Sequence, residues 1–142
     1  MAHALATRHD TPVGPFAIVT NEAAAVLGAG STLDETRLLT PIHPTIRPAA
    51  LVWRDGATGS TTPADEALRH YLDGDLAALD TVEVAWQAEP FRDRAWQAMR
   101  NIRPGQPISY RELAVAAGGS GWEAARAAGQ ACARNPVSLF VP

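Results

Sequence analysis

The 142 residues can build one compact domain, or two small ones sharing a core. Apolar residues at 46% and charged residues at 19% exclude a disordered chain, and no apolar run approaches the length of a membrane-spanning helix. The net charge of −3 hides an asymmetry: residues 1–90 carry five Arg against twelve acids, and residues 91–142 carry seven Arg against three. The excess of cations in the last third points to an anionic partner for that part alone.

The opening "MAHALATRHD" lacks the apolar core of a secretory signal. A single cysteine, Cys132, excludes an internal disulfide and a multi-cysteine zinc site, and it agrees with a reducing compartment. His3, His9, His43 and His70 show no ligand spacing. The expectation is a cytoplasmic protein with no metal and no cofactor. Pro12, Gly14 and Pro15 punctuate a turn. Phe16 to Thr20 then reads as a strand, Asn21-Glu22 as a turn and Ala23 to Leu27 as the hairpin partner. The proline-rich stretch from Thr40 to Pro63 reads as loop, with a short strand at Leu51-Val52-Trp53.

A helix is predicted over Pro63 to Asp73. Thr62 is its N-cap, Pro63 fits its first turn and Asp65 completes a capping-box pattern. "TVEVAW" alternates Val82, Val84 and Trp86 as a half-buried strand does. From Pro90 the texture changes. Phe91, Ala95, Met99 and Ile102 fall at helical spacing, and "RPGQP" is a turn. Ser109 with Glu112 forms a capping box ahead of a second helix. "GGSG" breaks that helix, and "WEAARAAGQACA" forms a third. Helix, glycine turn, helix is the outline of a helix-turn-helix unit. The final Val137 to Val141 reads as a buried strand.

The third helix is bare. Ala124, Ala125, Ala127, Ala128, Gly129, Ala131 and Ala133 leave almost no side-chain relief, and Arg126 projects from them. Such a surface suits tight helix packing, or close approach to a DNA groove. It offers few base-reading side chains, namely Arg126, Gln130 and Arg134. On DNA it would bind backbone and shape, or insert one side chain into the base stack, as enzymes acting on an extruded nucleotide require.

Residues 90–142, from "PFRDRAWQAMRNI" through "SYRELA", "AARAAG" and "NPVSLFVP", resemble the DNA-binding domain of the O6-alkylguanine-DNA alkyltransferases, the methylated-DNA–protein-cysteine methyltransferases. Residues 10–28 and 63–86 resemble that family's N-terminal domain more loosely. The resemblance implies an α+β chain with two domains. Residues 1–88 would form a small antiparallel-sheet, ribonuclease H-like domain. Residues 89–142 would form a helix-turn-helix, winged-helix-like domain, incomplete at its C-terminus.

The resemblance also assigns roles. Tyr110 corresponds to the tyrosine that crowds the target nucleotide's phosphate. Arg126 corresponds to the finger that replaces the flipped guanine, and Ala125, Ala127 and Gly129 let the helix enter the minor groove. Cys132 lines the alkyl-base pocket, and Asn135 is the hinge asparagine. The partner implied is double-stranded DNA carrying O6-alkylguanine, met by a monomer with no membrane involved.

The family's acceptor cysteine belongs after Pro142, where the sequence stops. The expectation is therefore a repair protein by descent whose nucleophile is missing from this chain. Two alternatives are a non-enzymatic alkyltransferase-like sensor of damaged DNA and a helix-turn-helix transcription regulator. Between Gly118 and Ala124 the chain carries about two residues more than the family's common form, which sets Trp122 and Glu123 at the start of the third helix.

Overall fold

A computed structural model describes residues 3–57 and 61–142. The chain divides into two compact units. One comprises residues 1–86 with 136–140, and the other residues 87–135 with 141–142.

The first unit is built on a four-stranded sheet of β1 (His3–Thr11), β2 (Gly14–Thr20), β3 (Val26–Gly30) and β4 (Ala50–Asp55) in the order β3-β2-β1-β4. The three strands β1, β2 and β3 pair antiparallel, whereas β4 lies parallel to β1, so the expected antiparallel sheet carries one parallel edge. Central β2 is buried from Phe16 to Thr20, with side chains covered on both faces. On one face Ala4, Ala6, Ala17, Val19 and Leu27 pack with Leu38 of α1 (Glu35–Leu39) and with Ile42.

Helix α2 (Pro63–Leu72) starts as its sequence predicts. Thr62 and Asp65 complete the capping box, and Pro63 occupies the first turn, where its missing N–H costs nothing. A 3-10 turn follows at Ala78–Thr81.

Two predicted strands dissolve into isolated bridges. In "TVEVAW", only Val84 bridges to Val26 of β3, through Val26 N–H to Glu83 O at 2.9 Å and Ala85 N–H to Val26 O at 2.8 Å. In Val137 to Val141, Val137 bridges to Ala29, but Leu139 adopts φ +75° and turns the chain. The apolar run is buried, as its composition requires, without being extended. Two elements lie outside the predicted ones: β1, rich in Ala and Thr, and the five-residue α1, whose one local signal is Asp34, an N-cap that accepts from Thr36 and Arg37 N–H.

The second unit holds three helices, α3 (Pro90–Arg100), α4 (Tyr110–Ala116) and α5 (Gly121–Ala133). Trp96 of α3 is buried and donates its indole N–H to Ala131 O of α5 at 2.9 Å. Arg94 of α3 donates to Ala117 O at the end of α4 and lies over the Phe91 ring. The α4–α5 turn depends on glycine: Gly118 and Gly121 sit at φ +86° and +82°, where a Cβ is strained.

Candidate nucleic-acid interface

Helix α5 resolves its residues by angle around the axis. Ala128 and Ala131 face inward and are buried. At 100° per residue, Arg126 lies nearly opposite Ala128, on the outermost line of the helix. It is exposed, as are Trp122, Glu123, Gln130 and Ala133. Ala125, Ala127 and Gly129 flank that line and are half-buried. The cation thus shares its exposed line with Trp122, Glu123 and Gln130, and small residues lie on either flank.

An indole lies beside it. The Arg126 guanidinium carbon lies 5.2 Å from the centroid of the Trp122 ring, one helical turn back. Trp122 is 67% exposed. The sequence sets Trp122 at the helix start without disclosing this contact, although the i, i+4 spacing of an aromatic and an arginine is a usable signal.

Tyr110 opens α4 and is 59% exposed. The Ser109 hydroxyl accepts from Glu112 N–H at 3.1 Å, and Glu112 accepts from Ser109 N–H at 3.0 Å, which fixes the start of the helix. These bonds to Ser109 hold the Glu112 carboxyl below its ordinary value. The Tyr110 ring lies against Gly129, 3.7 Å from where a Cβ would stand there. The structure therefore brings Tyr110, Gly129, Arg126 and Trp122 onto the α4–α5 unit.

Cys132 and Asn135 are placed differently. Cys132 is half-buried, with its Sγ 3.9 Å from Met99 Sδ. Burial pushes its thiol up, with only a partial offset from a backbone hydrogen bond. Residues 87–142 contain no histidine that could activate it. The half-buried Asn135 donates its side-chain N–H to Val141 O at 2.6 Å and ties the two ends of the segment after α5 together.

A second polar cluster lies in the first unit. Asp65 is fully buried; its Oδ1 accepts from Thr7 Oγ1 at 2.6 Å and from His9 Nε2–H at 2.6 Å. Its Oδ2 accepts from the Thr62 N–H at 3.0 Å and the Thr62 hydroxyl at 2.9 Å. Burial alone would raise the Asp65 carboxyl, but the bonds from His9, Thr7 and Thr62 outweigh it and hold the group below its ordinary value. A Cβ at Gly56 would run into the His9 imidazole, so nothing but glycine fits over that ring. Every lone-pair direction of Asp65 is engaged, and His9 is 6% exposed, so the cluster is a fastening and not an open site. Among the described residues, no group of three or more metal-ligating side chains converges. No helix among them is long and apolar enough to cross a membrane.

Comparison with known proteins agrees with this architecture. Residues 90–142 match the family pattern of the 6-O-methylguanine DNA methyltransferase, DNA binding domain. A methylated-DNA–protein-cysteine methyltransferase of Salmonella typhimurium is 44% identical over 77 residues, which is 54% of this chain and 44% of the relative's own length. One of Mycobacterium bovis is 33% identical over 133 residues, covering 94% of this chain and 72% of the relative. The crystal structure of Mycobacterium tuberculosis OGT in complex with DNA superimposes with a TM-score of 0.68 at 26% identity, covering 97% of this chain and 75% of that one. Sharing sequence over nearly its whole length and fold over both units, the chain belongs to the methylated-DNA–protein-cysteine methyltransferase family.

Proposed function

We propose that this chain supplies the DNA-docking and nucleotide-extruding part of an O6-alkylguanine repair protein. The observation that carries the reading is Arg126, exposed on the outermost line of a helix whose flanks are alanine and glycine. Low flanks let the α5 backbone come close to a narrow groove, and one long cation can then reach the base stack. A nucleotide leaving the duplex opens a gap, and the planar guanidinium is suited to fill it by stacking. The DNA complex of the Mycobacterium tuberculosis relative supports the same partner here.

In this reading Tyr110 stands beside the target phosphate. Ala125, Ala127 and Gly129 form the groove-facing ridge. Cys132 lines the base pocket, and Asn135 sets the turn after α5. The DNA-docking part is residues 89–142 and the N-terminal domain residues 1–88. The partner is duplex DNA carrying O6-alkylguanine, engaged by a monomer in the cytoplasm. Alkyl transfer requires a thiolate, and Cys132 is a poor source of one: its thiol is raised, not lowered, and it has only a thioether for company. Cys132 therefore does not suit the acceptor's role.

The test uses the whole chain and a duplex with 2-aminopurine next to O6-methylguanine. Binding should raise the 2-aminopurine fluorescence as the stack opens, and anisotropy should report an affinity that falls with salt. Arg126→Ala should abolish the fluorescence rise and weaken binding roughly ten-fold, the scale of one lost stacking contact. An unchanged fluorescence rise in that variant would remove Arg126 from the role.

A further inference from the structure

The finger residue of the proposed reading is not free in the unbound protein. Its guanidinium lies on the Trp122 indole at 5.2 Å. Helical side chains lean toward the N-terminus, so Arg126 runs back along α5 over the residue one turn earlier. Among the described residues it makes no salt bridge that would compete for it. Trp122 gains as well: an indole 67% exposed has few other neighbours, and the arginine covers one of its faces. Glu123 lies three residues back on the same side of the helix, yet among the described residues it forms no ion pair with Arg126.

A guanidinium lying along the helix cannot also project from it. Entry into a base stack requires Arg126 to swing off the indole and extend outward. We propose that Trp122 is a resting dock for Arg126: it holds the finger along α5 in the free protein and releases it when DNA is engaged. Trp122 is then a positioning residue that acts through Arg126. Its contribution opposes binding by the amount the contact is worth at an exposed site, about two- to five-fold in affinity. The inference rests on Arg126 entering DNA, as proposed above.

The experiment has two arms, each on the whole chain. In the first, NMR of the free protein should show the Arg126 Nε–H and Cδ protons shifted upfield by the indole ring current. Trp122→Leu should abolish the shift, and Trp122→Phe should keep part of it. An unshifted Arg126 in the free protein overturns the dock. In the second, the duplex carrying O6-methylguanine is titrated in. The ring-current shift should vanish in the complex. Trp122→Leu should tighten binding about two- to five-fold when Arg126 is present and have no effect in an Arg126→Ala background. A shift that persists on DNA, or a Trp122→Leu that weakens binding equally in both backgrounds, overturns release and makes Trp122 a direct DNA contact. Failure of the wild-type chain to bind any duplex overturns the DNA-docking reading instead, while the free-protein shift still decides whether the dock exists.

Discussion

The two units treat their polar side chains in opposite ways. In the first, the most elaborate polar cluster, Asp65 with Thr7, His9 and Thr62, is turned inward and saturated with hydrogen bonds. In the second, the informative polar and aromatic groups, Tyr110, Trp122 and Arg126, face solvent, and the core is closed by alanines with Trp96, Met99, Leu113 and Val141. A carboxylate–histidine pair looks like catalytic machinery, and a bare helix with one arginine looks like a surface of no consequence. Burial and partner count reverse that impression. A group with every hydrogen-bonding direction occupied has nothing left for a ligand, whereas an exposed cation held only by an exposed indole keeps its hydrogen-bonding directions open to solvent.

The sharpest way to break the comparison is to remove Asp65. Asp65→Ala strands His9, Thr7 and the Thr62 amide in the interior and unfastens α2 from β1. We expect a loss of about 3–5 kcal/mol in denaturant unfolding, enough to leave the first unit unfolded or nearly so. Asp65→Asn should lose less, because an amide oxygen still accepts. The same residue sets a pH dependence. Its carboxyl is held below its ordinary value of 3.8 when folded, so the unfolded chain binds the proton first. The stabilisation is complete above about pH 4 to 5, declines as the pH falls through the folded value, and is absent below it. Asp65→Asn should flatten that acid limb. An unaltered acid limb would show that the fastening is not ionic.

Half of this fastening is legible in the amino-acid sequence. "TPAD" specifies a capping box by local chemistry alone, and it forms, as does the one at "SYRE". The role of Asp65 as the anchor of His9 is not legible there, because the two are 56 residues apart and meet only once β1 and α2 have packed. The same reason hides β1 itself. Its two alanines and Asp10 dilute the strand preference of its threonines, and it is held as a strand by pairing with β2 and β4 on either side. Conversely, Val137 to Val141 has the composition of a strand, but one left-handed residue, Leu139, diverts it after Ser138 and leaves isolated bridge residues. On the proposed interface, the small-residue face and Arg126 follow from helical periodicity, while the Trp122 contact depends on rotamers that periodicity does not specify.

A smaller effect sharpens the contrast within the second unit. Helix α4 begins on Ser109, whose hydroxyl and amide both take part in the capping box. Helix α5 begins on Ser120, which makes no capping hydrogen bond. Ser109→Ala should cost about 1 kcal/mol in a thermal or denaturant melt, and Ser120→Ala close to nothing. Equal losses would mean that Ser120 caps α5 in solution. Tyr110 immediately follows Ser109, so the first substitution should also loosen the ring against Gly129. The second should leave that packing as it is.

The smallest expected change has the opposite sign. Gly129 lies inside α5, where glycine is less favourable than alanine by about 0.5–1 kcal/mol. A methyl there would meet the Tyr110 ring at 3.7 Å, an ordinary van der Waals contact with nothing to displace. Gly129→Ala should therefore stabilise the second unit by up to about 1 kcal/mol. If the residue were glycine for folding alone, duplex binding would be unchanged or slightly improved. The α5 ridge, however, is proposed to press against a groove, and a methyl on its flank holds the backbone away. A variant that melts later yet binds duplex DNA more weakly would locate the reason for this glycine at the interface. One that melts later and binds equally well would remove Gly129 from the groove-facing surface and leave Arg126 to act without it.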